Sequence, residues 1–103
     1  DIAALAQRIG AAHVHAEFAD LAAVLAAPVA ARSGVTWSLG VHAHDVFCFR
    51  FAPKPVLGSA SRIIACSEAA RNAVIELLPE AQERTVRIPH GVRLDRWPFT
   101  PAD

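Results

Sequence analysis

The chain contains 103 residues, of which 53% are hydrophobic and 19% are charged; this composition supports one packed domain and excludes a disordered tail. Ten basic residues balance ten acidic ones, so the net positive charge on which broad nucleic-acid binding depends is missing. The sequence shows no signal peptide and no apolar run approaching the roughly 20 residues that cross a bilayer. We expect no nucleic-acid partner, no secretion and no membrane span.

The first residue of the chain and its two cysteines indicate how the chain relates to a longer protein and whether it contains a disulfide or a metal site. The chain begins with Asp1 and contains no methionine, so we expect a fragment of a longer protein or a processed product. Cys48 and Cys66 lack the close spacing of a metal site. We interpret both cysteines as reduced and structural, because free thiols in apolar segments are commonly buried.

The predicted strands alternate with alanine-rich segments of helical period, a pattern typical of βαβ units. Each strand is a short segment rich in Val, Ile, Leu or Phe. The predicted strands cover residues 12–18, 35–42, 62–67 and 85–89. The predicted fold class is therefore α/β, with about four parallel strands.

Two helices are predicted in the first third of the chain. Residues 1–9 form the end of a helix that stops at Gly10. Its apolar positions at helical spacing are Ile2, Leu5 and Ile9. Asp20 is predicted to cap a second helix that ends at Gly34, because a carboxylate accepts hydrogen bonds from first-turn amides. Pro28 within this helix implies a kink or a late start.

The later helices are shorter. Residues 53–60 predict a short helix, weakened by a proline and a glycine. Ser67 is predicted to cap a helix over residues 68–78 that Pro79 ends. Its apolar face consists of Ala70, Val74, Leu77 and Leu78. The last residues, from Pro89 onward, hold three prolines and mixed charge, a composition typical of a linker or crossover segment.

The run from Gly40 to Asp45 is the most informative segment for chemistry. Period-two alternation predicts that His42 and His44 point to the same side at the end of a strand. Two imidazoles and a carboxylate there could exchange protons and hydrogen-bond hydroxyl groups, with Asp45 fixing a histidine tautomer. Alternatively, Asp45 only caps the next turn and the histidines satisfy loop carbonyls.

Other candidate residues follow the third and fourth strands, where ligands of open parallel sheets collect. Ser67 could hydrogen-bond a ligand or serve only as a helix cap. His90 and Gly91 follow the fourth strand. The glycine allows a close approach by a ligand or a neighbouring domain, or forms a simple turn.

A metal site is an alternative, since His-x-His followed by an acid also occurs in metal-dependent hydrolases. His13 and His15 could join such a site. They fall within the first predicted strand rather than beyond its end, and no acidic or cysteine partner follows at a recognisable ligand spacing. We therefore predict no metal.

Residues 46–51 place three phenylalanines and an arginine in a predicted loop. Such aromatic exposure would let the loop cover a binding site or touch a membrane surface. Alternatively, the phenylalanines pack beneath the loop.

Four short motifs follow one another in an order that resembles the family 4 glycosyltransferases over residues 12–98. They are HVHA at 13–16, HAHD at 42–45, IIACS at 63–67 and IPHGV at 88–92. Lys54 falls in the region that matches a lysine-containing helix of that family. Arg93 stands where the family often has an aspartate, so a contact made by that acid is not expected here.

The resemblance implies a GT-B enzyme of two facing Rossmann-like domains that moves a sugar, with retention, from a nucleotide-sugar donor to a saccharide or lipid-linked acceptor. Residues 1–91 would be the latter part of the acceptor-side domain, and residues 92–103 the start of the interdomain linker. The glycine-rich loop and the C-terminal donor domain are missing. We therefore expect no cofactor in this fragment and no catalysis by it alone.

Site roles carried over by position follow from the same resemblance. His42 matches the histidine of the cleft that contacts the transferred sugar or assists the reaction. The positions implied to line the acceptor side or the crossover are His44, Asp45, Ser67, His90 and Gly91. A bacterial enzyme of surface polysaccharide or glycolipid assembly is expected, located in the cytoplasm and able to contact the inner membrane peripherally. The alternatives are a non-catalytic α/β binding module and a histidine-based metal hydrolase.

Overall fold

The structure is a computed structural model that describes residues 1–48 and 52–97. Within this part of the chain the strands form one parallel sheet in the order β1-β2-β3-β4. The strands are β1 His13–Glu17, β2 Thr36–Val41, β3 Arg62–Ala65 and β4 Thr85–Arg87. The predicted α/β class with parallel strands is confirmed, and each strand is slightly shorter than its sequence pattern indicated.

The α-helices are α1 Ile2–Arg8, α2 Leu21–Ser33, α3 Lys54–Gly58 and α4 Glu68–Leu77. Helix α1 precedes β1, and the other α-helices connect successive strands. A π-helical turn at His44–Cys48 follows β2, a 3-10 helix at Pro79–Arg84 precedes β4, and a 3-10 turn occupies Leu94–Arg96. No helix of the described residues has the length and apolar character needed to cross a membrane.

The predicted capping residues set the ends of the two longest helices. A side-chain oxygen of Asp20 accepts from the amide of Ala22 at 2.9 Å, and α2 ends at Gly34 with φ of 72°. The α2 helix continues through Pro28. The hydroxyl oxygen of Ser67 accepts from the amide of Ala70 at 3.1 Å at the start of α4. Local capping chemistry therefore fixes both helix starts.

The first helix packs differently from its sequence pattern. Ile2, Leu5 and Ile9 are exposed, and the buried residues of α1 are Ala3 and Ala6. The α1 helix packs on α2, which also presents alanines. Small side chains allow this close approach, whereas the larger side chains remain outside it. The predicted helix is therefore present, but its buried residues are alanines instead of the larger apolar side chains.

The core lies between the helices and one face of the sheet. Its largest fully buried side chains are Leu39, Leu57, Ile63 and Val41. The α2 helix contributes only alanines to the buried set, namely Ala23, Ala26 and Ala30. These small side chains let the helix lie close to the strands. Trp37 fills the adjoining space, and its indole nitrogen donates to the hydroxyl of Ser59 at 3.2 Å.

The opposite face of the sheet carries polar side chains at its β1 side. His13 and His15 alternate along β1 with residues that face the core, and both are exposed. In the parallel register His13 lies opposite Thr36 and His15 lies opposite Ser38. Because all strands run the same way, their carboxyl ends meet at one edge of the sheet. That edge is where ligands of open parallel sheets bind.

The segment after β2 contains the aromatic run noted in the sequence. Val46 is partly buried and packs against the core, whereas the side chain of Phe47 is 58% exposed. The interpretation that the phenylalanines pack beneath the loop is therefore wrong for Phe47. Phe49 and Phe51 lie outside the described residues. Both cysteines are free, and Cys48 is exposed.

Truncation of a buried side chain on β2 tests this packing. We expect Leu39→Ala to lower the free energy of unfolding by about 2–5 kcal/mol, because it leaves a cavity in the core. Leu25→Ala is the matched control, since Leu25 is half exposed, and we expect a loss below about 1 kcal/mol. Urea titration followed by circular dichroism measures both. Equal losses for the two variants would contradict the assigned core.

Candidate functional site

A cavity of about 250 Å³ lies at the carboxyl edge of the sheet. Each strand end contributes to its lining: Glu17 from β1, His42 beyond β2, Cys66 beyond β3 and His90 beyond β4. Ile88 adds an apolar wall. The cavity therefore combines imidazoles and a carboxylate with an apolar surface, which suits a hydroxyl-bearing ligand.

His42 occupies the centre of this group. Its Nε2 lies 2.7 Å from Oε2 of Glu17. The ring centroid lies 4.7 Å from that of Phe18 and 5.3 Å from that of His90. The side chain of His42 is 22% exposed, so the imidazole is held on several sides while part of it reaches solvent.

Glu17 is the residue that the sequence interpretation missed. Its Oε1 lies 3.3 Å from Nε2 of His15, and its Oε2 contacts His42. The hydrogen bond from His42 lowers the pKa of the Glu17 carboxyl; partial burial opposes this shift, and the bond from His15 adds to it. The available signal was period-two spacing, which places Glu17 on the same face as His13 and His15.

Gly40 makes room for this carboxylate. Glu17 and Gly40 are partners in the β1–β2 register, and Gly40 is buried. A Cβ atom built at Gly40 would lie 2.9 Å from Cδ of Glu17 and closer still to one carboxylate oxygen. The missing side chain therefore lets Glu17 lie across β2 and reach His42.

Asp45 is buried and bonds to backbone instead of to an imidazole. Its Oδ1 accepts from the amide of His42 and its Oδ2 from the amide of Ala19, each at 2.7 Å. The carboxylate thus ties the chain after β1 to the chain after β2. The idea that Asp45 fixes a histidine tautomer was wrong, since Glu17 is the carboxylate that meets the ring of His42.

Phe18 has an unusual backbone. Its φ is 75°, in a region that bulky side chains rarely adopt. This conformation redirects the chain directly after β1, where the amide of Phe18 donates to the carbonyl of Gly40 at 2.9 Å. The ring then lies against His42 while 43% of the residue remains exposed.

The other predicted site residues differ in whether they line the cavity. His90 lines the cavity together with His42. His44 is exposed in the π-helical turn and is not among the lining residues, because β2 ends at Val41 and the period-two alternation stops there. Ser67 acts as the cap of α4, one residue beyond the cavity wall.

Two further positions lie apart from the cavity lining. A Cβ atom built at Gly91 would meet no atom of the described residues within 4 Å, so this part of the chain makes no close approach there. Lys54 lies on a separate surface groove together with Val46 and Leu77. Neither residue is among those that line the cavity around His42.

The histidines of β1 form a hydrogen-bonded chain with hydroxyl groups of β2. Nδ1 of His13 lies 2.7 Å from Oγ1 of Thr36, and Nε2 of His13 lies 2.8 Å from Oγ of Ser38. Nδ1 of His15 lies 2.7 Å from the same serine oxygen. Among residues 1–48 and 52–97, no three His, Cys, Asp or Glu side chains are grouped to hold a metal ion.

Removal of the Asp45 carboxylate tests its part in the fold. We expect Asp45→Ala to lower the free energy of unfolding by about 2–4 kcal/mol, because two amides lose a charged acceptor. Asp95→Ala is the control, since that carboxylate is exposed and its side-chain partner is the exposed Arg93. Chemical denaturation measures both variants, and a loss below about 0.5 kcal/mol for Asp45→Ala would contradict the assignment.

The lowered pKa of Glu17 predicts a pH dependence. A carboxyl with a lower pKa in the folded state adds stability above its unfolded value, and that stability is lost as pH falls through the folded pKa. Because the side chain is 56% exposed, we expect Glu17→Gln to cost about 0.5–1 kcal/mol near pH 7. The difference from wild type should vanish near pH 2. Glu83→Gln is the charge-matched control, and a pH-independent difference for Glu17→Gln would contradict the prediction.

The comparison with protein families identifies the family of this chain. The model of Glycosyltransferase Family 4 matches residues 2–96. No curated protein and no solved structure matches the chain. The family match covers the whole described sheet, its helices and the cavity at its carboxyl edge, which confirms the resemblance carried by the four short motifs. The chain therefore belongs to glycosyltransferase family 4.

Proposed function

We propose that this chain supplies the acceptor-side half of the cleft of a retaining glycosyltransferase, with His42 as the residue that meets the transferred sugar or assists the reaction. The observation that carries the proposal is the position of His42. Its ring lies at the carboxyl edge of a parallel sheet, bonded to Glu17 and flanked by Phe18 and His90. Family membership favours sugar transfer over a non-catalytic binding module.

The size of the cavity supports a single sugar residue as its occupant. Its volume of about 250 Å³ is below the roughly 300–1,000 Å³ of pockets that enclose a whole drug-sized ligand. A nucleotide and a sugar together would therefore need further walls. A donor domain of the same longer polypeptide, facing this edge, would supply them.

The charge of the cavity lining also supports a site for the sugar here and a site for the nucleotide on the other domain. Among the described residues that line it, none is Lys or Arg, while Glu17 and three histidines are present. Such a lining offers acceptors and proton carriers for sugar hydroxyl groups. It offers no fixed positive charge for a diphosphate, so the nucleotide of the donor would bind on the other domain. This chain alone would then be inactive.

The other site residues take supporting roles in the proposal. His90 faces the sugar together with His42, and Asp45 holds the backbone from which His42 projects. His44, Ser67 and Gly91 shape the rim on the acceptor side and at the crossover. With residues 1–91 in this domain, the linker to the donor domain would begin within residues 92–103.

We infer a cellular role from the same family context. The enzyme would extend a saccharide or lipid-linked acceptor in bacterial surface polysaccharide or glycolipid assembly. It would act in the cytoplasm, in peripheral contact with the inner membrane. The exposed ring of Phe47, on the turn that follows the cavity-lining His42, supports such a contact.

Replacement of His42 tests the proposal in the longer protein that contains this chain. We expect His42→Ala to reduce the rate of sugar transfer by about 10²-fold to 10⁴-fold, the usual contribution of a positioned acid or base. Glu83→Ala, an exposed substitution on the 3-10 helix, serves as the control and should retain the wild-type rate. Undiminished transfer by a folded His42→Ala protein would overturn the proposal.

A further inference from the structure

The carboxylate of Glu17 determines which nitrogen of each neighbouring imidazole carries a proton. An ionised carboxylate accepts hydrogen bonds and donates none. Its two oxygens meet Nε2 of His42 at 2.7 Å and Nε2 of His15 at 3.3 Å. Both Nε2 atoms must therefore be donors, and a neutral ring of His42 keeps Nδ1 as its acceptor.

The same reasoning extends along the histidine chain. With its proton on Nε2, neutral His15 accepts at Nδ1 from the hydroxyl of Ser38. That hydroxyl has one proton, so the serine oxygen accepts from Nε2 of His13. Nδ1 of His13 then accepts from the hydroxyl of Thr36. Every hydrogen bond in the chain thus follows from the charge on Glu17.

We propose that Glu17 is a positioning residue for His42: it holds the ring in the tautomer with the proton on Nε2 and leaves Nδ1 as the atom that meets the sugar. The hydrogen bond from His15, which is itself bonded to Ser38, in turn holds the Glu17 carboxylate in place. This proposal rests on the proposed function only for its consequence in catalysis. The positioning itself is a property of this chain.

Among the described residues, no second carboxylate bonds Nε2 of His42. The other groups facing His42 are the rings of Phe18 and His90. Asp45 is engaged with two backbone amides. Arg62 lies opposite Ser38 in the register of β2 and β3, whereas Glu17 lies opposite Gly40 in the register of β1 and β2. Arg62 and Glu17 are therefore on strands that are not neighbours. Within the described structure Glu17 is thus the carboxylate that orients His42.

Two variants disturb this carboxylate in different ways. Glu17→Ala removes it. Gly40→Ala keeps it but adds a methyl group where it lies, so the flexible side chain must move away from His42. Glu83→Ala and Gly58→Ala are the matched controls; Glu83 is exposed, and a Cβ at Gly58 would meet its nearest neighbour, Oε1 of Glu80, at 4.0 Å.

Nitrogen-15 NMR of histidine-labelled chain measures the positioning directly. In wild type we expect the resonance of His42 to show a proton on Nε2 that exchanges slowly with solvent. That slow exchange should be lost in Glu17→Ala and Gly40→Ala and kept in both controls. A proton on Nδ1 in wild type, or unchanged exchange in a folded Glu17→Ala or Gly40→Ala chain, would overturn the proposal.

Kinetics of the longer protein separate this proposal from the proposed function. We expect Glu17→Ala to lower kcat about 10-fold to 100-fold with KM nearly unchanged, because misplacing a reacting group by about 1 Å can cost about 100-fold in rate. Full kcat in Glu17→Ala together with a large loss in His42→Ala would overturn the positioning role alone. Full kcat in both variants would overturn the proposed function, while the NMR result would still decide the tautomer.

Discussion

The site depends on one buried carboxylate that joins two strand ends. Asp45 accepts from the amides of Ala19 and His42 and so fixes how the chain leaves β1 relative to how it leaves β2. Glu17 and His42 project from these two segments, and their side chains meet at 2.7 Å. Displacement of either segment would separate that pair. The contact of this acidic side chain with two backbone amides thus sets the geometry of the Glu17–His42 pair.

The alanine-rich core serves the same arrangement. Because α2 buries only alanines, it lies close to β1 and β2 and holds their register. In that register Glu17 falls beside Gly40, where the absence of a side chain leaves room for the carboxylate. Small residues in the helix and in the strand therefore act together. They set the strand positions that bring two ionisable side chains into contact at the edge of the sheet.

The sequence predicted those features that depend on local chemistry. Strand periodicity and the caps at Asp20 and Ser67 needed only neighbouring residues, and the structure confirms them. Glu17 could not be assigned in the same way, because its partner lies 25 residues later and the contact requires the register of two strands. His44 was predicted to point with His42, but the π-helical turn begins there and ends the alternation of the strand.

At Phe18, the backbone conformation and the packing of the His42 ring favour different side chains. A left-handed conformation costs a residue with a Cβ atom roughly 1–2 kcal/mol, and glycine would avoid that cost. Glycine would also remove the ring that lies against His42. A version of this chain stabilised by glycine here would therefore lose the aromatic contact with His42, so backbone stability and the packing of His42 set opposite requirements at this residue.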